Sequence, residues 1–267
     1  MKDNLSDFPM GSIQLIGAGP GDPDLLTVKA LRAIMSADVV VHDRLVSPEI
    51  MALVPARTRR IDVGKLPRRH KVPQPAINAL LVDLARQGLR VARLKGGDPL
   101  IFGRGGEEAD AARAAGIAVH YIPGITSAQG AAASTGVPLT HRGLASGVRY
   151  VTGHRACDAA LDLDWTSLAD PDTTLVVYMG VASIREIALQ LMRHGLAPLT
   201  PVLAVTSATT PRETRLLSSL GSIGTEASRL AAEVPVLFVI GRVAGLYPAI
   251  AELDGALCEG SGMVAYA

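Results

Sequence analysis

Short apolar runs alternate with amphipathic segments along most of the chain. In the first half, β-branched and aliphatic runs predict strands at 13–16, 38–42, 61–63, 90–94 and 119–122. Helical spacing of apolar positions predicts helices after residue 22, at 77–86, at 107–115 and from about 127 onward. Strands that alternate with helices favour a parallel α/β sheet.

The first helix carries a start signal of its own. Asp22 is a residue type that caps helix N-termini, and Pro23 suits a first helical position. The sequence therefore predicts that this helix begins at Asp22.

A second α/β half follows a polar break at 138–147. It contains predicted strands at 149–152, 174–178, 202–205 and 236–240, with helices at 184–194 and 223–232. We expect a domain at 11–140, a second at 141–250, and flexible tails at 1–10 and 251–267. The two halves show no clear internal repeat.

Composition narrows the class of protein. Hydrophobic residues make up 48% and charged residues 19% of 267 residues, which is typical of a folded globular chain. A net charge of +1 and 3% aromatic residues argue against a nucleic-acid binder. We expect no membrane span, no signal peptide and a cytoplasmic location. Cys157 and Cys258 lack metal-binding spacing, so no metal is expected.

The first glycine-rich loop, at 17–21, follows a strand as in dinucleotide-binding proteins. Asp43, at the end of the next strand, stands roughly where a ribose-binding acid would be. However, the dinucleotide pattern needs glycine at the position of Asp22, and Asp22 and Asp24 carry the wrong charge for a pyrophosphate. An NAD-binding oxidoreductase stays open as an alternative, as does a structural turn that binds nothing.

A second loop, at 95–99, is more informative. Gly96 and Gly97 expose backbone groups, and Asp98 supplies an acceptor for a ligand hydroxyl or amine. Arg104 follows among three glycines, which suits anion capture, although a solvated surface arginine is the alternative.

The ordered motifs resemble the tetrapyrrole methylase family over roughly residues 12–245. The matching segments are GAGPGDP (17–23), VHDRLVS (41–47), RLKGGDP (93–99), FGRGGEE (102–108), PGITSA (123–128) and PLTHRGLA (138–145), extended at 151–154, 177–180 and 208–212. Each motif is weak alone, but the ordered set is specific. The 138–145 segment is similar to that of members acting on uroporphyrinogen III.

The resemblance implies a tetrapyrrole methylase fold, with two α/β domains and S-adenosyl-L-methionine in the cleft between them. It further implies two successive C-methylations of uroporphyrinogen III, at C2 and C7, giving precorrin-2 and S-adenosyl-L-homocysteine. Precorrin-2 feeds sirohaem, cobalamin and haem d1 biosynthesis, and nothing in the chain selects among them. A homodimer and hand-over to a precorrin-2 dehydrogenase are also implied. The alternatives are another precorrin methyltransferase of the cobalamin pathway and a non-catalytic tetrapyrrole carrier.

Site residues are carried over by motif. The implied cofactor contacts are Pro20, Gly96, Gly97, Asp98, Ile101, Thr126, Ser127, Met179 and Ala208. Candidate cations for the polycarboxylate substrate are Arg104, Arg142, Arg149 and His154, with the basic run at 65–71 as a further possibility.

For the proton steps, the family pattern implies Asp43 as acceptor and Lys65 as donor, and Arg104 with Glu107 is a second candidate pair. The sequence does not rank the two pairs. Three positions depart from the family pattern: Ala208 where glycine is frequent, Glu213 where glutamine is common, and Pro75 where a polar residue is usual.

Overall fold

A computed structural model describes residues 8–64, 72–154, 161–230 and 234–247. The chain divides into two compact units, Met1–Ser127 and Ala128–Ala267, which are called unit 1 and unit 2. No helix in the described ranges combines the length and apolar character that a membrane crossing needs.

Unit 1 is a five-stranded sheet with helices on both faces. Its strands are β1 (Ile13–Gly17), β2 (Val39–His42), β3 (Arg59–Asp62), β4 (Val91–Lys95) and β5 (Val119–Ile122). They are ordered β3-β2-β4-β1-β5, and every neighbouring pair is parallel. The helices are α1 (Val28–Ser36), α2 (Pro48–Ala52), α3 (Gln74–Arg86) and α4 (Gly105–Ala114). The predicted parallel α/β sheet is confirmed here.

The central strands of unit 1, which are β1, β2 and β4, are buried on both faces because helices cover both faces. Ile16 on β1 packs in one apolar cluster with Ala30 and Ile34 of α1. Leu15, its neighbour, packs in another with Leu81 of α3 and Ala109 of α4. Such two-sided burial is what parallel sheets require, and it explains the continuous hydrophobic runs in the sequence.

The predicted start of the first helix is wrong. Asp22 accepts a hydrogen bond from the Asp24 amide and caps only a short 3₁₀ turn, Pro23–Leu25. Leu26 is extended, and Thr27 caps α1 by accepting from the Ala30 amide at 3.1 Å. Two capping residues close together made the true start ambiguous. Phe8, which the prediction placed in a flexible tail, is buried in the core.

Unit 2 also contains a five-stranded sheet, but of mixed direction. Its strands are β6 (Gly147–Thr152), β7 (Thr173–Tyr178), β8 (Pro201–Thr206), β9 (Thr214–Ser219) and β10 (Val236–Ile240), in the order β6-β7-β10-β8-β9. Only β6 and β7 pair in parallel, while the other pairs are antiparallel. The helices are α5 (Ser127–Thr135), α6 (Trp165–Leu168), α7 (Ile184–Arg193) and α8 (Leu220–Glu226).

Because helix α5 packs with unit 2, the boundary between the two units comes earlier in the chain than the sequence pattern predicted. Its buried residues Ala128 and Ala131 lie in one apolar cluster with Val176 of β7 and Leu203 of β8. The helix therefore packs with unit 2, and the units divide after Ser127 rather than at 140/141. The polar break at 138–147 is a connection within unit 2.

Candidate active site

Three loops meet at the carboxyl edge of the unit 1 sheet. They follow β1, β4 and β5, which are adjacent strands. The Gly19 amide donates to the Gly97 carbonyl at 3.1 Å, and the Gly97 amide donates back to the Gly19 carbonyl at 2.7 Å. The glycine-rich loops therefore gather at one edge of the sheet, the edge at which open α/β sheets bind ligands.

Gly17, Gly97 and Gly124 form what we call the glycine cradle. A Cβ on Gly17 would lie 2.8 Å from the Gly97 oxygen, and one on Gly124 would lie 2.7 Å from the Gly17 Cα. Gly97 also has a φ of +68°, a conformation that favours glycine. Only backbone atoms can form this surface, so it is a neutral wall of amide and carbonyl groups.

Asp98 ties two of these loops together. Its Oδ1 accepts from the Leu100 amide at 2.8 Å, and its Oδ2 accepts from the Gly124 amide at 3.1 Å. Because each carboxylate oxygen can accept more than one hydrogen bond, Asp98 keeps capacity for a ligand donor. The Gly97 Cα faces Thr126 and Ser127, whose backbone atoms would lie 3.7 Å from an added Cβ.

The structure thus brings together the predicted cofactor residues of unit 1. Pro20 follows the bridge residue Gly19, and the Ile101 amide donates to the Asp98 carbonyl at 3.4 Å. Thr126 is buried beside Gly97. Their cofactor role stays a prediction.

The two predicted cofactor residues of unit 2 follow strands β7 and β8. Met179 is half exposed with a φ of +52°, and Ala208 is buried between Ser207 and Thr209, both of which have positive φ. Non-glycine residues in this region are uncommon and mark backbone held by its surroundings.

Glu213 holds the loop that carries Ala208. Its Oε2 accepts from the Thr209 amide at 2.6 Å, and its Oε1 accepts from Arg215 Nε at 2.7 Å. A glutamine, which is common here in the family, has one acceptor oxygen instead of two. The departure at Glu213 therefore has a structural use in this chain.

Asp43, the predicted proton acceptor, follows β2 at the same edge of unit 1. Its Oδ1 accepts from the Leu45 amide at 3.0 Å, and its Oδ2 lies 3.4 Å from Nη2 of Arg93. The side chain is 27% exposed, so a bound molecule can reach it. Lys65, the predicted donor, and the basic run at 65–71 lie outside the described residues.

Behind Asp43 lies a buried ionic cluster that the sequence analysis missed. Arg93 and Lys95 project from one face of β4, and both contact Oε1 of Glu108 on α4, at 3.2 and 3.0 Å. Burial lowers the pKa of Lys95, and the neighbouring Arg93 charge lowers it further, while Glu108 opposes both effects. Charged residues at alternate positions of a buried strand were the available signal.

The second proton pair, Arg104 and Glu107, is exposed. Arg104 donates from Nε and Nη2 to the two carboxylate oxygens of Glu107 at 2.8 and 2.7 Å. This pairing holds the pKa of Glu107 below its ordinary value. Arg104 precedes α4 with a φ of +57°. Its positive charge is paired with Glu107, so Arg104 is not reserved for an anionic ligand.

The remaining substrate candidates lie in unit 2. Arg142 and His154 are exposed. The Arg149 guanidinium donates to the Ser167 hydroxyl at 2.6 Å and to its carbonyl, so one of its edges is already engaged. Across the described ranges, no group of three or more His, Cys, Asp or Glu residues is arranged to hold a metal ion.

Comparison with known proteins establishes the class. Residues 12–224 match the family described as tetrapyrrole (corrin/porphyrin) methylases. The chain belongs to this family, which confirms the family and the class of enzyme, a methyltransferase, expected from the motifs.

Two individual relatives show which kinds of family member the chain is similar to. The chain is 62% identical to a uroporphyrinogen-III C-methyltransferase from Paracoccus denitrificans (strain Pd 1222) over 89% of this chain and 83% of that protein. It is 49% identical to a siroheme synthase from Methylococcus capsulatus over 88% of this chain, but it spans only 50% of that protein's length.

Solved structures agree on the fold. A uroporphyrin-III C-methyltransferase from Thermus thermophilus, complexed with S-adenosylhomocysteine, has a TM-score of 0.76 at 40% identity and covers 88% of this chain and 100% of that one. A cobalt precorrin-4 methyltransferase has a TM-score of 0.78 at 25% identity, covering 88% of this chain and 96% of that one. The predicted tetrapyrrole methylase fold is confirmed.

Proposed function

We propose that this protein transfers methyl groups from S-adenosyl-L-methionine to C2 and C7 of uroporphyrinogen III, giving precorrin-2 and S-adenosyl-L-homocysteine. The similarity to the Paracoccus methyltransferase and to the Thermus structure with S-adenosylhomocysteine supports this reaction. The observation that carries the proposal is the glycine cradle with Asp98 beside it.

The cradle fits this cofactor better than a nucleotide. S-adenosyl-L-methionine has no phosphate, so backbone amides, carbonyls and one carboxylate can surround it without a cluster of cations. A Cβ at Gly17 or Gly124 would overlap backbone atoms of the neighbouring loops, so glycine is what allows these loops to pack together beside Asp98. Asp98 is suited to accept from the cofactor's hydroxyl or ammonium groups, and Ile101 and Thr126 to close the rim.

The NAD-binding alternative fits less well. A dinucleotide pyrophosphate sits at the N-terminus of a helix that begins directly after the glycine loop. Here α1 begins only at Val28, and Thr27 caps its first turn. Asp22 and Asp24 also occupy the intervening 3₁₀ turn with negative charge.

The chemistry needs positioning more than a strong base. When bound, the cofactor supplies an electrophilic methyl group on its sulfonium. A pyrrole carbon is already electron-rich, so an aligned, dehydrated arrangement of the two reactants provides most of the rate enhancement. The attacked carbon already bears a side chain and has no hydrogen, so the proton released after methyl transfer leaves from another position of the macrocycle. Asp43 is then suited to accept that proton, because its partly exposed carboxylate is held by the Leu45 amide and Arg93.

Labelled methyl transfer tests the proposal. Anaerobic incubation with uroporphyrinogen III and methyl-labelled cofactor is expected to place label at C2 and C7, as read by NMR. Label at other carbons would indicate another precorrin methyltransferase, and no label in the macrocycle would indicate a non-catalytic carrier. Calorimetry should detect S-adenosylhomocysteine binding at micromolar concentration and no NAD binding.

Variants test the assignment of the proton acceptor and donor. Asp43→Ala and Lys65→Ala should each reduce turnover while leaving S-adenosylhomocysteine binding in place. Wild-type turnover in both variants would refute this pair and favour Arg104 with Glu107. The homodimer, the cytoplasmic location and hand-over to a precorrin-2 dehydrogenase stay predictions.

A further inference from the structure

Arg93 is a buried cation whose guanidinium joins two carboxylates. Only 2% of the residue is exposed. Its Nε lies 3.2 Å from Glu108 Oε1, and its Nη2 lies 3.4 Å from Asp43 Oδ2. Its Nη1 donates to the Leu94 carbonyl at 2.9 Å. The planar guanidinium therefore acts as a fork: Glu108 and the Leu94 carbonyl hold one side of it, the interior end, and its Nη2 faces Asp43.

Glu108 anchors that interior end. Besides Arg93, its Oε1 accepts from Lys95 Nζ at 3.0 Å and from Gln74 Nε2 at 3.1 Å. Gln74 donates also to Asn78 Oδ1 at 2.9 Å, which holds its amide in place. Glu108 is 2% exposed, and its second oxygen, Oε2, has no hydrogen-bond partner among the described residues.

Stability does not account for this cluster. Removing charges from water costs several kcal/mol per ion, and well-packed apolar residues in place of a buried ion pair are often neutral or stabilising. A buried carboxylate oxygen without a partner adds a further cost. Both cations contact a single oxygen of Glu108. Among the charged residues of this cluster that the structure describes, only Asp43 is substantially exposed, at 27% of its side chain.

We propose that Arg93 is a positioning residue for the Asp43 carboxylate, with Glu108 fixing the orientation of the guanidinium. This rests on the proposed function, in which Asp43 accepts a proton from the methylated substrate. The Leu45 amide holds Oδ1 and Arg93 holds Oδ2, so the two contacts set the plane of the carboxylate. The 3.4 Å separation from Arg93 is long for a hydrogen bond, and catalytic contacts of this kind shorten when substrate is bound.

Arg93→Lys is the sharpest variant. It keeps the positive charge against Glu108, but a single ammonium cannot contact both carboxylates as the fork does. We expect kcat to fall by roughly 10- to 100-fold, the range that a small misplacement of a reacting group produces. The KM for uroporphyrinogen III and the Kd for S-adenosylhomocysteine should change by less than about twofold, because the Arg93 side chain is only 3% exposed and offers almost no surface to a ligand.

A double-mutant cycle separates positioning from a merely structural role. Single-turnover transfer of labelled methyl is measured for Asp43→Asn, Arg93→Lys and the double variant. If Arg93 acts through Asp43, adding Arg93→Lys to Asp43→Asn should change the rate by less than about twofold. An equal fall in both backgrounds, or full activity of Arg93→Lys, would overturn the proposal.

A second variant keeps the test independent of folding defects at Arg93. Glu108→Gln preserves the shape of the side chain and one acceptor oxygen but removes the negative charge that pairs with the guanidinium. The inner end of the fork is then held less strongly, so kcat should fall in this variant as well. Asp110→Asn is the matched control, because it removes a carboxylate from the same helix α4 at an exposed position. Circular dichroism checks that each variant is folded, and wild-type kcat in folded Glu108→Gln would contradict the anchoring role.

The outcomes distinguish this inference from the proposed function. If the wild-type protein transfers no label to uroporphyrinogen III, the proposed function fails. If the wild type is active and Asp43→Asn matches it, the function stands and the positioning role falls.

Discussion

Gly124→Ala tests whether the glycine cradle is a close-packed backbone surface. The added Cβ would lie 2.7 Å from the Gly17 Cα and would also meet the Gly97 carbonyl oxygen. Ordinary contact begins near 3.4 Å, so the loops after β1 and β5 must separate by about 0.7 Å. Because every atom met is backbone, no side chain can rotate away to relieve the overlap.

The cost follows from this geometry. Overpacking a closely packed site costs typically about 1–3 kcal/mol, and a clash with two backbone segments belongs at the upper end of that range. We expect urea unfolding to show a loss of about 3 kcal/mol. Separation of the loops also displaces the Gly124 amide from Asp98, so S-adenosylhomocysteine binding should weaken at least about tenfold, which equals 1.4 kcal/mol.

Gly106→Ala is the matched control. Gly106 lies in α4, and a Cβ there would meet nothing within 4 Å. Since alanine favours helix over glycine by about 0.8–1.0 kcal/mol, this variant should be slightly more stable than the wild type. The reasoning is refuted if Gly124→Ala unfolds and binds S-adenosylhomocysteine like the wild type, or if Gly106→Ala loses as much stability as Gly124→Ala does.

Three further variants test separate contacts. Arg90 holds the pKa of Asp38 below its ordinary value, chiefly through their side-chain hydrogen bond, so this pair stabilises the fold above about pH 4 and the contribution is lost as the pH falls further. Arg90→Gln should therefore cost at most about 1 kcal/mol at pH 7 and less at pH 3 in urea unfolding, since the pair is partly exposed; a constant difference across this range would contradict the assignment. Ser47→Ala removes the cap of α2 and a 2.7 Å hydrogen bond to the Gly21 carbonyl, so the free energy of unfolding should fall by about 1–2 kcal/mol in urea unfolding. A fall of less than about 0.5 kcal/mol would count against this role. Glu213→Gln should weaken S-adenosylhomocysteine binding about fivefold in calorimetry through loss of one acceptor, and unchanged affinity would show that the loop it holds does not contact the cofactor.

The central strands of unit 1, which are β1, β2 and β4, were predictable because they are buried on both faces. Their runs of Val, Ile and Leu leave little choice of element, and alternation with helices fixes parallel pairing. The same pattern did not reveal direction in unit 2, where β8 and β9 form an antiparallel pair. β9 is an edge strand with a largely exposed first half, so its sequence lacks the apolar signal, and it was missed.

Some residues of the candidate site were likewise predictable from the sequence, and others were not. The glycine motifs could be recognised in the sequence because backbone clashes at Gly17 and Gly124 permit no other residue. The strands that precede these glycines bring them to one edge of the sheet. The ionic cluster could not be predicted, because the alternation of Arg93 and Lys95 along the strand is equally the spacing of an exposed strand face. What buries that face is the packing of α3 and α4, which depends on contacts distant in the chain.

Glu107 and Glu108 illustrate why the sequence could not assign the cluster. Successive residues on a helix point about 100° apart, so two adjacent glutamates cannot share one environment. Glu108 is turned toward β4 with Ala109 and Ala112, while Glu107 is turned outward to Arg104. One turn of α4 therefore supplies both an exposed ion pair and the buried anchor behind Asp43. The segment that starts with Arg93 and ends with Glu108 is informative because its two ends meet inside the protein, at 3.2 Å, and the intervening loop is held between them.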